Sequence, residues 1–261
     1  MSRKKDDTHH RLTAHLKDLR LPTMRERFEE LAQKARQEDL SYEAYLLALV
    51  EEECDMRRHS RIERLLHVSR IPREKTLEAL DLKRFGRKVT LQVRSLLEGS
   101  FVDRHENILA FGNPGSGKTH LLCAIGQELI QAGRSVLFTP CALLVQELLR
   151  AKQELKLDRH IKRLAKHEVL IIDDIGYVQH NREEMEVLFT LLAERYERGS
   201  ILLTSNLPFS QWERIFKDPM TTAAAIDRLI HHSVILELNN GSYRMEQAKQ
   251  TKQAGKEDKE T

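Results

Sequence analysis

The stretch Gly112-Asn113-Pro114-Gly115-Ser116-Gly117-Lys118-Thr119 decides the fold class of this 261-residue chain. It follows the apolar run Ile108–Phe111 and opens a helix-forming segment that begins at His120. A strand, a loop of the pattern G-x-x-x-x-G-K-[ST] and a helix form a phosphate cradle, because the loop N–H groups and the positive helix end point at the phosphates. The predicted nucleotide-binding residues are Gly112, Asn113, Pro114, Gly115, Ser116, Gly117, Lys118, Thr119 and His120.

Two residues of this loop have specific predicted roles. Lys118 places a positive charge between the β- and γ-phosphates, so we count it as catalytic too, and the Thr119 hydroxyl is a ligand for magnesium. We therefore expect ATP and magnesium as cofactors. The alternative, a chance glycine-rich turn, is disfavoured by the flanking strand and helix.

A later apolar run ends in two carboxylates, Asp173 and Asp174. We expect Asp173 to hold magnesium through water and Asp174 to polarise the attacking water as a general base. Many related ATPases use glutamate for that role, and aspartate is one methylene shorter, so slow intrinsic hydrolysis is predicted. The alternative for Asp174 is a cap of the turn at Gly176.

Asn206 follows the apolar run Ile201–Leu203. If that strand is inserted between the phosphate-loop strand and the two-aspartate strand, Asn206 lies beside the γ-phosphate and orients the attacking water. The order of the sequence does not prove the insertion. Without it, Asn206 is a turn residue before Pro208.

Arg228 precedes the last apolar run on an otherwise apolar helical segment. We expect it to reach the γ-phosphate of a neighbouring subunit as an arginine finger. The alternative is an ion pair with Asp227 or Glu237. His231 and His232 have no third ligand near them in the sequence, so no metal site is expected there.

Five apolar runs alternate with amphipathic segments over residues 107–240. Runs without polar alternation are typical of strands covered on both faces, and β-α repeats form a parallel sheet. The sequence therefore predicts an α/β domain with a five-stranded parallel sheet. The runs are Ile108–Phe111, Val136–Phe138, Val169–Ile172, Ile201–Leu203 and Val234–Leu236.

Residues 1–70 are predicted to form a small all-α domain for self-association or partner docking, because apolar residues recur there at three- and four-residue spacing. Thr23 is expected to cap a helix to about Gln37, and Ser41 a helix to about Val68, in an antiparallel hairpin. The remaining parts are a linker with a packing helix, 71–106, and a polar tail, 241–261, that we expect to be disordered.

Composition excludes several classes of protein. Charged residues make up 32% of the chain, and no apolar stretch approaches the roughly 20 residues of a membrane span. The N-terminus has no apolar region behind its basic start, so a cytoplasmic protein is expected. Cys54, Cys123 and Cys141 form no Cys-x-x-Cys pair and are predicted to be buried thiols.

These features together resemble the additional-strand P-loop ATPases of the AAA+ class, and within it the IstB/DnaC group of transposition helpers and helicase loaders. As in that group, we expect no helical lid after the fifth strand, because only the polar tail follows it, and the sensor arginine that such a lid usually carries is then missing. The matching segments are Gly112–Thr119, Val169–Gly176, Leu203–Asn206 and Ala225–Arg228.

The N-terminal half resembles more closely the IstB helper ATPase of insertion sequences that encode an IstA/IstB pair. This resemblance implies ATP-dependent assembly on target DNA, a homo-oligomer with ATP at its subunit interfaces, and stimulation of an IstA-type transposase. A DnaC-like replicative helicase loader is the alternative. The matching segments are Leu40–Leu47, Arg61–Leu66 and Ile71–Glu78.

The segment 150–166 is the densest in positive charge, although the whole chain carries a net charge of only +3. No aromatic residue lies within the segment, so largely sequence-independent contact with duplex DNA is favoured over stacking on single strands. A solvated helix face is the alternative. The predicted DNA-binding residues are Lys152, Lys156, Arg159, Lys162, Arg163 and Lys166.

A phosphate loop also occurs in proteins of two other function classes. A P-loop kinase for a small molecule needs a substrate pocket and a lid, and no segment is expected to supply them. A nucleotide-gated scaffold without useful hydrolysis stays open, because Asp174 stands where glutamate is usual.

Overall fold

The computed structural model describes residues 2–176, 182–212, 219–239 and 241–243. The chain divides into two compact units, Met1–Arg64 and Leu65–Thr261. Among the described residues, no helix combines the length and hydropathy that crossing a bilayer requires.

The first unit is helical. Helices α1 (Ser2–Asp18) and α2 (Pro22–Gln37) are followed by α3 (Tyr42–Ser69), whose last turn belongs to the second unit. The carboxylate of Glu53 in α3 is buried and accepts hydrogen bonds from the N–H groups of Thr23 (2.9 Å) and Met24 (3.1 Å). Because these N–H groups lie at the N-terminus of α2, a negative charge there satisfies two donors without an intrahelical partner. This contact fixes the α2–α3 hairpin.

The structure confirms one predicted helix cap and corrects the other. The Ser41 hydroxyl accepts a hydrogen bond from the Ala44 N–H at 3.2 Å, as expected. The predicted Thr23 cap is wrong, because α2 already begins at Pro22 and its first donors are satisfied by Glu53 from another helix.

The cysteine prediction is right for two residues and wrong for one. Burial raises the pKa of both the Cys123 and the Cys141 thiol to about 12, so both stay protonated. Cys54 is exposed. The described buried positions of α3 are Leu49, Glu53 and Ser69, and Cys54 lies beside this buried face, so the apolar spacing in the sequence assigns Cys54 to the wrong face.

After α3, the second unit contains a 3-10 helix (Leu82–Arg84), α4 (Arg87–Leu97) and α5 (Ser100–Asp103), and it then alternates strands with helices. Each predicted strand is present and is longer than its apolar run. The elements are β1 (Asn107–Gly112), α6 (Lys118–Gln131), β2 (Val136–Pro140), α7 (Cys141–Gln153), α8 (Leu157–Leu164), β3 (Val169–Asp173), α9 (Arg182–Arg195), β4 (Ser200–Ser205), α10 (Pro219–Ile230) and β5 (Ser233–Leu238).

The five strands form one parallel sheet in the order β2-β3-β4-β1-β5. Strand β4 therefore lies between β1 and β3, which is the insertion that the prediction for Asn206 requires. The register pairs Ile172 of β3 with Leu203 of β4, and Ala110 of β1 with Thr204 of β4. The carboxyl ends of these three strands consequently meet at the edge where the phosphate loop begins.

Burial of the strands follows the sequence prediction except in β5. Strands β1 to β4 have buried apolar residues on both faces. In β5, Leu236 and Leu238 are buried, whereas Ile235 is 37% exposed. The expectation of cover on both faces is thus wrong for β5, because its residues alternate between the core and solvent.

Arg195 at the end of α9 stabilises the edge of the sheet that lies opposite the phosphate loop, where the strands begin. It is 2% exposed, and its guanidinium donates to the carbonyls of Leu164, His167, Glu168 and Ser200 at 3.0–3.2 Å. Burial lowers the Arg195 pKa to about 10, so the group stays charged at neutral pH. These carbonyls lie just before β3 or at the first residue of β4. One side chain therefore fixes the backbone at the N-terminal ends of both strands.

We expect Arg195→Lys to lower the free energy of unfolding by about 3 kcal/mol, because an ammonium cannot reproduce the fork of donors. Urea denaturation checks this. Arg198→Lys is the matched control, since Arg198 is exposed and pairs with Glu194. Equal losses in both variants would contradict the assignment.

Candidate functional site

The phosphate loop runs from the end of β1 to the first residue of α6 and depends on left-handed backbone. Gly115 has φ +80° and Gly117, which precedes α6, has φ +97°. Residues other than glycine are strained at positive φ, because their Cβ atom meets the backbone. A Cβ at Gly115 would also overlap Ser242. Conformation therefore favours glycine at both positions, and space favours it at Gly115 as well.

Lys118 lies folded against this loop. Its side chain is largely buried, and its ammonium donates to the carbonyls of Gly112 (2.8 Å) and Asn113 (2.9 Å). These contacts hold the positive charge at the start of the loop.

Asp173 is the shared acceptor of two hydroxyl groups. Its Oδ1 accepts hydrogen bonds from Thr119 Oγ1 and from Thr204 Oγ1, both at 2.7 Å. Thr119 comes from α6 and Thr204 from β4, so the carboxylate joins three elements. A hydroxyl and a carboxylate are oxygen donors of the kind that magnesium prefers, so this pair fits the ion.

Asp174 occupies a strained position next to Asp173. Its φ is +62°, and its N–H donates to Thr204 Oγ1 at 2.7 Å. The pKa of Asp174 is raised, first because neighbouring atoms partly withdraw the exposed carboxylate from water and second because Asp173 is negatively charged; Lys118 opposes the shift. The carboxylate is thus a stronger base than an ordinary aspartate.

Asn206 follows β4 on the same edge of the sheet. Its Oδ1 is buried and has no hydrogen-bond partner among the described residues. A Cβ at Gly176 would lie 2.5 Å from this oxygen, so the backbone after Asp174 approaches Asn206 closely. Buried acceptors without a partner are uncommon in folded proteins, so this oxygen marks Asn206 as a candidate functional residue.

A cavity of about 390 Å³ adjoins the loop and includes residues that the sequence analysis assigned to the linker. The Thr76 carbonyl lies 2.9 Å from His120 Nε2, and Gln127 Nε2 donates to the Pro72 carbonyl at 3.0 Å. The sequence signal that could have indicated this role is the presence of apolar residues within the highly charged linker, 71–106. The linker residues that line the cavity are Lys75, Ala79, Leu80, Asp81, Arg84 and Phe85.

Tyr243, the last residue that the structure describes, also lines this cavity. The Tyr243 N–H donates to the Gly115 carbonyl at 3.0 Å, and the Arg84 guanidinium lies over the Tyr243 ring at 5.1 Å. The rest of the predicted polar tail, 244–261, and with it the expected absence of a helical lid, lies outside the described residues.

The profile of the family described as IstB-like ATP binding protein matches residues 14–251. The chain belongs to this family. An insertion sequence ATP-binding protein from Sinorhizobium fredii is 44% identical over 93% of this chain and 82% of its own length. Another from Pseudomonas aeruginosa is 39% identical over 91% of this chain and 90% of its own length.

Solved structures with lower identity have the same fold. AMPPCP-bound DnaA from Aquifex aeolicus matches with a TM-score of 0.55 and 19% identity over 65% of this chain and 51% of its own length. DnaI matches with a TM-score of 0.53 and 22% identity over 65% of this chain and 95% of its own length. The AAA+ P-loop fold and the family resemblance are confirmed, and this IstB-like protein is an ATP-binding ATPase.

Arg228 of the IstB-like protein lies away from the cavity just described. It is half-buried in α10, donates to the Ala224 carbonyl at 3.1 Å and lies over the Phe189 ring at 4.7 Å. Within the described residues it has no ion pair with Asp227 or Glu237, the alternative that the sequence left open.

The basic segment spans the end of α7 and all of α8, where it lines a groove. Three of its predicted DNA-binding residues are paired with carboxylates: Lys152 with Glu186 (2.6 Å), Lys156 with Glu154 (2.9 Å) and Lys162 with Asp158 (2.9 Å). Arg163 contacts His160 Nδ1 at 3.2 Å. Arg159 and Lys166 have no ion pair among the described residues, so their charges are the most available to phosphates.

Thr204 is the site residue that the sequence analysis did not single out. Its hydroxyl is buried, and it both donates to Asp173 and accepts from the Asp174 N–H.

We expect Thr204→Val to lower the free energy of unfolding by about 2 kcal/mol, because an N–H and a carboxylate oxygen lose their partner. We expect Thr204→Ser, which keeps the hydroxyl, to cost about half as much. Urea denaturation distinguishes the two, and equal losses would contradict the role of the hydroxyl.

Proposed function

We propose that this IstB-like protein is an ATP-dependent, DNA-binding transposition helper that acts in the cytoplasm. In this proposal it assembles on target duplex DNA, hydrolyses ATP and recruits or stimulates an IstA-type transposase. The observation that carries the proposal is the family match over 14–251, which spans both the helical hairpin and the ATPase unit. Its relatives at 39–44% identity are insertion sequence ATP-binding proteins.

The phosphate loop and Asp173 bind the nucleotide in this mechanism. The loop N–H groups and Lys118 hold the phosphates, and Thr119 and Asp173 hold magnesium, the latter through water. Bound magnesium neutralises negative charge on the phosphate oxygens. The contact between Thr119 and Asp173 keeps the two oxygen donors together before any ligand arrives.

Asp174 and Asn206 act on the attacking water. Asp174 accepts its proton, and its raised pKa favours that transfer. Asn206 orients the water with its side-chain amide. The shorter reach of aspartate keeps hydrolysis slow without DNA or a partner, so the ATP-bound assembly persists.

Assembly supplies the remaining parts. Arg228 of one subunit reaches the γ-phosphate of the next after leaving the ring of Phe189, and the nucleotide then lies at the subunit interface. Residues 1–70 serve self-association or docking of the transposase, and residues 71–106 cover the nucleotide. The basic groove of α7 and α8 follows the DNA backbone without reading bases.

We expect Asp174→Asn to reduce ATP turnover at least about 100-fold while ATP binding persists, because the general base is removed. Asparagine also tolerates the left-handed backbone at this position. Since the raised pKa means that ionised Asp174 disfavours the folded state at neutral pH, the variant should be no less stable than the parent. Wild-type turnover should fall as the pH drops through a value above the ordinary aspartate range. Turnover that survives in the variant would contradict the role.

The DNA contact is tested by fluorescence anisotropy with ATP at several salt concentrations. We expect tighter binding to duplex than to single strands, and weaker binding with ADP. Arg159→Ala combined with Lys166→Ala should reduce the slope of log affinity against log salt by about 2, one for each lost phosphate contact.

Lys88→Ala combined with Arg94→Ala is the matched control, because both side chains are exposed on α4 and the charge change is the same. An equal effect of both double variants would contradict the assigned groove. A preference for single strands, with no response to a transposase, would instead favour the helicase loader.

A further inference from the structure

The edge of the sheet opposite the phosphate loop brings together three turns that enter strands. Strand β1 lies between β4 and β5, so the residues before these strands are neighbours. The Asn107 N–H donates to the His232 carbonyl at 2.7 Å, and Asn107 Nδ2 donates to the Leu229 carbonyl at 3.2 Å. Asn107 Oδ1 in turn accepts from the Ile201 N–H at 2.8 Å. The backbones of these turns are therefore held by one buried residue, through its own N–H and through both ends of its side-chain amide.

Three side chains with metal-ligating atoms converge on this edge. Glu197 comes from the turn before β4, and His231 and His232 come from the turn before β5. One ligand atom from each lies within 4.8 Å of the others, and His232 Nε2 is 3.6 Å from Glu197 Oε1. All three are exposed, so small rotations of the side chains can bring these atoms to bonding distance of one ion.

A neighbouring tyrosine orients one of the histidines. The Tyr196 hydroxyl lies 3.0 Å from His231 Nδ1, which leaves Nε2 of that ring for a ligand. Metal-ligating histidines usually have such a partner on the other ring nitrogen. Glu106 is also near, but both of its oxygens accept hydrogen bonds from Arg104, so it is not counted as a ligand.

We propose that Glu197, His231 and His232 form a surface site for a first-row transition-metal ion such as Zn²⁺. Two imidazoles and a carboxylate, with water in the fourth position, form a ligand set suited to this ion and poorly suited to magnesium. The ion joins the entries of β4 and β5 across β1 and stabilises this edge. The site is independent of nucleotide binding. The sequence gives little sign of it, because Glu197 is 34 residues before His231.

Isothermal titration of Zn²⁺ into the full chain, freed of metal and without nucleotide, tests the site. We expect one equivalent whose affinity falls at least tenfold in each of His231→Asn, His232→Asn and Glu197→Gln. Tyr196→Phe should lower the affinity for Zn²⁺ about tenfold, because His231 loses the partner that orients its ring. Co²⁺ in place of Zn²⁺ should give a visible absorption band that the His231 and His232 variants lack.

The control is His9→Asn combined with His10→Asn. These histidines are also adjacent and exposed, and His9 lies 2.9 Å from Glu29, but they lie on helix α1, where neighbouring side chains diverge. The control variant should still bind one equivalent of Zn²⁺ with the affinity of the parent. The proposal is overturned if the three site variants bind Zn²⁺ as the parent does, or if the control loses the equivalent instead. Melting without metal verifies that every variant is folded.

Discussion

The carboxylate of Asp173 accepts hydrogen bonds from Thr119 and Thr204, and the rest of the nucleotide site depends on this shared acceptor. It joins the first turn of α6 to the ends of β3 and β4. The contact exists because β4 lies between β1 and β3, with Leu203 in register with Ile172. The order of the strands therefore places both the phosphate loop and the carboxylates at one edge.

Asp174 shows how this site differs from the core around it. Its backbone is left-handed without glycine, and partial withdrawal from water, together with the neighbouring Asp173, raises the pKa of its carboxylate. Both features disfavour the folded state, and both suit a group that accepts a proton from water. The Thr204 hydroxyl stabilises the arrangement by holding the Asp174 N–H. The proposed catalytic role thus requires a residue that locally destabilises the folded state, and burial of the sheet offsets this loss of stability.

Much of the fold follows from the sequence because short-range patterns determine it. The phosphate loop, the strands and the Ser41 cap depend on residues close together in the chain. Contacts between distant residues were not predictable in the same way. Thr204 becomes important only through the register of β3 with β4, Glu53 displaces Thr23 as a cap from another helix, and Glu197 meets His231 only through the strand order.

In the function we propose, ATP bound at the Asp173 edge of the sheet controls assembly of this IstB-like protein on duplex DNA. The most direct measurement is a cryo-EM structure of the full chain with duplex DNA, magnesium and a non-hydrolysable ATP analogue. We expect nucleotide between subunits, Arg228 of one subunit at the γ-phosphate of the next, and the α7–α8 groove against the DNA backbone. Nucleotide-bound monomers, or an assembly whose α8 faces away from the DNA, would contradict it.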